Sequence, residues 1–213
     1  MMHLKNKPGQ GESELGTIQL PQVGKTGSAS LEQTLWERRS LRQFSSDSIS
    51  METASQLLWA AQGINDQRGR RTCPSAGALY PLEVLMACGA VQGLSPGCYR
   101  YLPHAHALEE MQRGDLRGSL ARASLDQSWM AHAPAILVLS AVYARTTGKY
   151  GPRGVRYVHM EVGAAAQNIH LQAEALGVGT VFVGAFSDRE VQRILGLPAE
   201  EEPLALFPTG AHG

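Results

Sequence analysis

The stretch from Gly154 to Gly177, GVRYVHMEVGAAAQNIHLQAEALG, constrains this chain more than any other. Val155, Val158, Val162, Ala166, Ile169, Ala173 and Leu176 recur at three- and four-residue intervals, the spacing of one helix face. Among them stand Gly163, Ala164 and Ala165, a patch with almost no side chain. An interior glycine costs a helix roughly 1 kcal/mol against alanine, so the patch predicts close approach of another backbone. Gly177 supplies the left-handed residue that ends a helix. The segment reads as a central buried helix on which the rest of the chain is wrapped.

The 213 residues, 43% hydrophobic and 18% charged, suit one compact domain or two small ones. Lys plus Arg, 19, equals Asp plus Glu, 19, which argues against a nucleic-acid surface or a membrane-attracting basic patch. No apolar run reaches the roughly 20 residues that cross a bilayer. The start, MMHLKNKPGQGESELG, lacks the apolar core of a secretory signal. Cys73, Cys88 and Cys98 are odd in number and lack CxxC spacing, so neither a disulfide framework nor a zinc site is indicated. A reduced, cytoplasmic compartment is the expectation.

Residues 1–29, rich in Gly, Ser, Lys and Gln, predict a mobile N-terminal arm with a docking point at Ile18-Gln19-Leu20-Pro21. Residues 30–213 form the domain. Ser30 with Gln33 makes a capping box for a short helix through Leu31, Leu35 and Trp36 that ends near Arg39. Ser50 caps a second helix with Ala54, Leu57, Leu58 and Ala61 on its apolar face and Gly63 at its stop. Strands are expected at 82–90, 98–102, 135–143, 180–186 and 204–207, and a helix at 115–126. The continuously apolar run from Ala135 belongs in the middle of a sheet. ARTTGKYGPRG reads as a loop, and Ser187 with Glu190 as a second capping box. Helices and strands interleave without the steady alternation of a doubly wound fold, so the class is α+β, a mixed sheet flanked by helices.

Arg38, Arg39 and Arg42 surround Ser40, and guanidinium forks with a hydroxyl bind phosphate oxygens well. The same arginines also suit a solvated helix end, where they favour the C-terminal dipole. Pro74-Ser75-Ala76-Gly77 is either an ordinary Pro/Gly turn or a bare backbone that can press against a flat ring. Val183-Gly184-Ala185, at a strand end, repeats that pattern. Lys149-Tyr150 offers a general acid and base, or a surface lysine beside a half-buried tyrosine. His104-x-His106 has the spacing of a metal pair but no carboxylate or cysteine neighbours, and no metal is expected. His159 and His170 suit buried, hydrogen-bonded structural roles. G-x-S-x-G, P-loop and G-x-G-x-x-G motifs are absent, which removes support for hydrolase, nucleotidase and Rossmann readings.

Taken in order, RRSLRQF, LLWAAQGIND, RTCPSAGALYPLEV, KYGPRGVRY with AAQNIHLQA, GVGTVFVGAF, LGLP and PLALFPTG resemble the nitroreductase family of flavoproteins. The combination resembles its SagB-type dehydrogenase branch, whose members oxidise peptide azolines with FMN. The resemblance spans about residues 30–210. It implies a homodimer with the long central helix at the dimer interface and one FMN at each end of that interface. Arg38, Arg39, Ser40 and Arg42 would hold the phosphate and ribityl chain. Pro74, Ser75, Ala76 and Gly77 would come from the partner subunit to cover the isoalloxazine, and Val183, Gly184 and Ala185 would lie near N5. Gln127 is a further ring contact, and Lys149-Tyr150 matches the pair assigned to proton removal. Relatives often continue into an Arg-containing tail, whereas here FPTG is followed by Ala211-His212-Gly213.

The function this implies is an FMN-dependent oxidoreductase passing hydride through flavin N5, with an azoline or similar small-molecule or peptide substrate. Alternatives are a general nitro/quinone reductase with NAD(P)H as co-substrate, and a non-catalytic flavin-binding or interaction protein on the same scaffold.

Overall fold

The computed structural model describes residues 16–213, so the first part of the predicted arm, 1–15, lies outside the described residues. Seven strands form one sheet in the order β1-β4-β3-β2-β5-β7-β6. The strands are β1 (Thr17–Gln19), β2 (Leu82–Cys88), β3 (Gly97–Leu102), β4 (Ala107–Arg113), β5 (Ala135–Ala141), β6 (Gly179–Thr180) and β7 (Glu202–Gly210). Every ladder between them is antiparallel. Parallel pairing is confined to isolated bridges, Ser40 with Thr180 and Ile49 with Val91. The helices are α1 (Leu31–Glu37), α2 (Met51–Gln62), α3 (Arg117–Ala123), α4 (Ala144–Tyr150), α5 (Arg153–Ala175) and α6 (Asp188–Leu195). The α+β class follows.

Both sheet faces are covered, which explains why β5 is buried at every position and apolar at all but Ser140. Leu137 and Leu139 pack with Leu57 and Leu58 of α2 and Val158, Val162 and Ile169 of α5. Ile136 and Val138 point the other way, to Leu120 of α3 and Val191 and Leu195 of α6. A strand buried on both faces cannot alternate polar and apolar residues. The three cysteines are buried and unbridged in these layers, and burial pushes the Cys73 and Cys98 thiols up to about 12.

The serine caps of the first two helices act as read, Ser30 Oγ accepting from the Gln33 N–H and Ser50 Oγ from the Thr53 N–H, both at 3.1 Å. The Gln33 side chain, however, donates to Glu37 at 3.3 Å and does not complete the capping box. Ser187 is the residue before α6, but its side chain makes no cap bond. In α5, Val158, Val162, Ala166, Ile169 and Ala173 are buried, while Val155 and Leu176 at its ends are exposed. Gly177 is left-handed, at φ 69°.

Several expectations are corrected. The described part of the arm is fastened from residue 17 to residue 24, a span that includes the expected docking point Ile18–Pro21. β1 pairs with β4, Ser55 Oγ donates to the Pro21 carbonyl at 2.7 Å, and Gln56 exchanges two hydrogen bonds with Gly24. β4, which sequence reading missed, tolerates Glu109, Glu110 and Gln112 because only Ala107 and Leu108 are buried. The segment 144–150, read as a loop, is helical. The Tyr143 carbonyl accepts from the Thr146 and Thr147 N–H groups and the Thr147 hydroxyl, and Gly151 at φ 56° closes the helix. The strand expected at 180–186 is a two-residue ladder followed by an isolated bridge from Val183 to Leu206.

Within one chain, the glycine that brings α5 close to a neighbouring backbone is Gly154, while Gly163 faces open space. A Cβ on Gly154 would stand 2.9 Å from the Thr147 N and Cα, whereas one on Gly163 would meet nothing within 4 Å. Gly154→Ala should lower stability by roughly 1–3 kcal/mol, read as a reduced urea midpoint with an unchanged slope. An unchanged midpoint would mean that α4 moves aside freely.

Candidate active site

Two groups of residues collect the predicted site. The first is built where the chain leaves α1. Arg38 ends that helix, and the following residues run beside β6, with Ser40 bridged to Thr180 and the Leu41 N–H donating to the Thr180 carbonyl at 3.0 Å. Gly179 permits this approach, since a Cβ there would overlap the Leu41 side chain. Thr180 is held from below by its hydroxyl bond to the Pro208 carbonyl at 2.9 Å. Arg39 turns back on α1, its Nη1 donating to the Trp36 and Arg38 carbonyls at 2.9 Å, which is the helix-end role. Among the described residues, neither Arg38 nor Arg42 has a carboxylate within 4.0 Å. The terminal residues run alongside, with the Ser45 N–H donating to Ala211 and His212 bridged to Phe44.

Val183 is pinned to β7 by two backbone bonds, and Gly184 and Ala185 project beyond it, exposed. Gln127 reaches the same place, its Nε2 donating to the Ser124 carbonyl at 2.9 Å and the Ala185 carbonyl at 3.4 Å.

The second group lies against the first half of α5. Ala76–Ala78 make a single helical turn in which Gly77 has φ 64°, and Ala78 and Tyr80 are also left-handed at 53° and 46°. For residues bearing a Cβ this costs roughly 1–2 kcal/mol each, so the segment must be held. The Tyr80 N–H donates to Ser75 Oγ at 2.9 Å, and the Arg71 guanidinium lies 4.5 Å over the Tyr80 ring. Lys149 and Tyr150, at the end of α4, close on the bare side of this turn. A Cβ on Gly77 would stand 2.8 Å from Tyr150 Oη and 3.1 Å from Lys149 Nζ. Tyr150 in turn meets Tyr157 edge to face, with ring centroids 5.1 Å apart.

Tyr157 leads to a residue that sequence reading missed. A cavity of about 330 Å³ lies between Pro74-Ser75-Ala76 and the α5 residues Tyr157, Met160, Glu161 and Ala164. Glu161 is buried, and its Oε1 has no hydrogen-bond partner. Burial pushes its carboxyl up to about 7, against the pull of Ser75, Arg71 and Gln62. Position 161 gave a signal in the helix pattern, a carboxylate one residue before the buried Val162, that went unused.

The histidines follow expectation in part: His170 is buried but its Nδ1 lacks a partner, and His159 is hydrogen-bonded but exposed. His106 is engaged at both ring nitrogens, by the Tyr101 hydroxyl at 2.9 Å and by Ser55 Oγ and the Pro21 carbonyl at 2.9 Å each. His159 is exposed and shares a 2.6 Å bond with the Tyr143 hydroxyl. His170 is buried against Phe207 with Nδ1 unpartnered, and burial followed by the nearby Arg38 charge pushes it down to about 4. Among the described residues, no three His, Cys, Asp or Glu side chains are grouped to hold a metal. None of their helices is long and apolar enough to cross a membrane.

The two groups are not joined to each other. No hydrogen bond or ion pair among the described residues links 38–42 to 74–77. The first group offers arginine forks free of carboxylates and bare strand-end backbone, and the second a glycine turn under an amine and a phenol.

Comparison with known proteins gives the family. The nitroreductase family model matches residues 35–211, and the chain belongs to that family of oxidoreductases. It is 45% identical over 193 residues to a Methanocaldococcus jannaschii protein assigned to the nitroreductases, covering 91% of this chain and 95% of that one. It is also 30% identical over 158 residues to the microcin B17-processing protein McbC of Escherichia coli, covering 70% of this chain but 57% of McbC. Among solved structures, a nitroreductase homologue of Ralstonia eutropha superposes with TM-score 0.83 at 31% identity, covering 100% of this chain and 96% of that one. A chain of the E. coli microcin synthetase McbBCD complex, with truncated pro-MccB17 bound, superposes with TM-score 0.72 at 26% identity, covering 91% and 76%.

Glu161 makes a specific pH signature. In the folded chain its proton leaves near 7, against 4.5 for the free group, so the folded state holds more protons between those values. Stability from this group therefore falls as pH rises from about 4.5 through 7. Glu161→Gln should gain on the parent chain over that window and hold its advantage above it, read from urea midpoints at pH 5 and pH 8. A constant difference would show that Glu161 ionises normally.

Proposed function

We propose that the chain is an FMN-dependent oxidoreductase of the SagB-type kind, working as a homodimer, with hydride passing through flavin N5. The observation that carries the reading is the pairing of Arg38 and Arg42, free of carboxylates among the described residues, with the bare Gly77 backbone under Lys149 and Tyr150. The residues fit the cofactor. A phosphate would be held by Arg38 and Arg42 with the Ser40 hydroxyl, and Arg39, already bound to carbonyls, adds charge. Val183, Gly184 and Ala185 offer close backbone approach at one ring edge, where Gln127 fixes the Ala185 carbonyl. Pro74, Ser75, Ala76 and Gly77 from the second copy would cover the ring. FMN, when bound, supplies the two-electron carrier, and the chain supplies binding, orientation and proton handling.

The second copy is supported by what one copy leaves uncovered. Trp36 is 81% exposed and Met160 60% exposed, with Leu31, Leu35 and open Gly163 near them on α1 and α5. Covering such a face is a usual role of a symmetric interface.

At the turn, Tyr150 Oη or Lys149 Nζ would take the proton from a substrate ring carbon. The substrate favoured is an azoline within a peptide or a similar small organic molecule, supported by the likeness to McbC and to the complex holding truncated pro-MccB17. A general nitro/quinone reductase using NAD(P)H is the second reading. It is favoured by the contact of Lys149 Nζ with the Tyr150 ring, 5.4 Å from its centroid, in which the pair serves as packing.

Purified protein incubated with FMN and dialysed should show oxidised-flavin absorption at one flavin per chain. Replacing Arg38 and Arg42 together with alanine should weaken binding roughly 100-fold or more, since each charged hydrogen bond contributes about 1.5–3 kcal/mol. A colourless protein, or equal affinity in the double variant, would overturn the cofactor assignment. Lys149→Ala with Tyr150→Phe should keep FMN and abolish azoline oxidation. Retained oxidation removes the proton-transfer role, and NADPH-driven nitrofurazone reduction without azoline oxidation by the parent chain selects the second reading.

A further inference from the structure

Lys149 and Tyr150 stand at the end of a seven-residue helix, and α4 is too short to hold its own position. Besides its packing on α5 at Gly154, a chain of charges across the sheet ties it down. It begins at Glu201, just before β7, whose buried carboxylate accepts from Arg100 Nη1 at 3.2 Å, Arg100 Nη2 at 2.8 Å and Ser140 Oγ at 2.6 Å. Arg100 also lies 3.5 Å from Glu83 Oε2, and Glu83 Oε1 takes Arg145 Nη2 at 2.6 Å. The other nitrogen of that guanidinium, Nη1, donates to the Tyr80 carbonyl at 3.1 Å. The buried end of the chain is thus at the start of β7, on β5 and on β3, and the half-exposed end is Arg145, in the first turn of α4 and one turn before Lys149.

Arg145 therefore grips both partners of one contact. Its backbone is part of the helix that carries the amine and the phenol. Its side chain holds the carbonyl of left-handed Tyr80, the residue that closes the Gly77 turn. We propose that Arg145 is a positioning residue of the site, fixing α4 to the 77–80 segment and so setting where Lys149 Nζ and Tyr150 Oη stand over the Gly77 backbone. The inference rests on the reading of Lys149 and Tyr150 as the proton-handling pair. A lysine at 145 would reach Glu83 or the Tyr80 carbonyl but lacks the fork that takes both at once.

The test uses the full chain loaded with FMN and labelled with ¹³Cζ-tyrosine, the Tyr150 signal being assigned from its loss in Tyr150→Phe. In Arg145→Ala the Tyr150 signal should move while those of Tyr99 and Tyr101, buried in the sheet, stay in place. In the same variant kcat for azoline oxidation should fall roughly tenfold or more, as expected of a misplaced catalytic group, with KM little changed. Arg145→Lys should recover part of both effects, and it carries the comparison if the alanine variant does not fold. An unmoved Tyr150 signal, or equal movement of all three tyrosines, would overturn the proposal. Failure of the underlying reading shows elsewhere: the Lys149→Ala, Tyr150→Phe chain would keep its turnover whatever Arg145 does to the tyrosine signal.

Discussion

The site depends on the burial of one face of α5 against the antiparallel sheet. Val158, Val162, Ile169 and Ala173 share one core with Leu137, Leu139 and Phe207, and this fixes the helix along its whole length. Each buried aliphatic side chain of that face contributes on the order of 1.5–3 kcal/mol. The helix then presents its first half to Ser75 and its second half to Leu31 and Thr34 of α1. From Glu161 to Leu171 is ten residues, on the order of 15 Å of helix. The arginine group and the glycine-turn group are therefore both anchored on α5 yet stand apart within one chain. That separation is the physical ground for the proposal that the site is assembled from two copies.

The two groups are prepared in different ways. Around Arg38 and Arg42 preparation consists of charge without a carboxylate partner, next to a strand end kept bare by Gly184 and Ala185. Around Gly77 it consists of backbone held in a conformation it would not choose, with Arg71, Ser75 and Arg145 each gripping Tyr80. Glu161 adds a buried carboxyl that changes charge near neutrality, within reach of the same turn. Strain and perturbed ionisation together are usual companions of a functional site.

Much of this was legible in the sequence because it is written in local pattern. The two serine caps, the doubly buried β5 and the left-handed Gly177 each follow from a few neighbouring residues. The elements misread are those whose stability comes from elsewhere. β4 carries helix-favouring glutamates and is a strand because β3 and β1 flank it. α4 contains Gly148 and two threonines, and is helical because Tyr143 caps it and the Arg145–Glu83 pair ties it down. Within one chain a tight approach occurs at Gly154, since which glycine meets a neighbour is decided by the fold and not by helix periodicity. Glu161 and Arg145 escaped for the same reason: their partners, Ser75 and Tyr80, are distant in sequence.

The most direct test of assembly from two copies is complementation between two disabled chains. One carries Arg38→Ala and Arg42→Ala, the other Lys149→Ala and Tyr150→Phe, and the two are co-expressed in equal amounts. A site shared across the interface predicts that each parent alone is inactive in azoline oxidation. The mixture should then recover about a quarter of the parent activity, because half of the dimers are mixed and one site in each is intact. A mixture no more active than either parent, with mixed dimers present, would place the whole site within one chain and contradict the account.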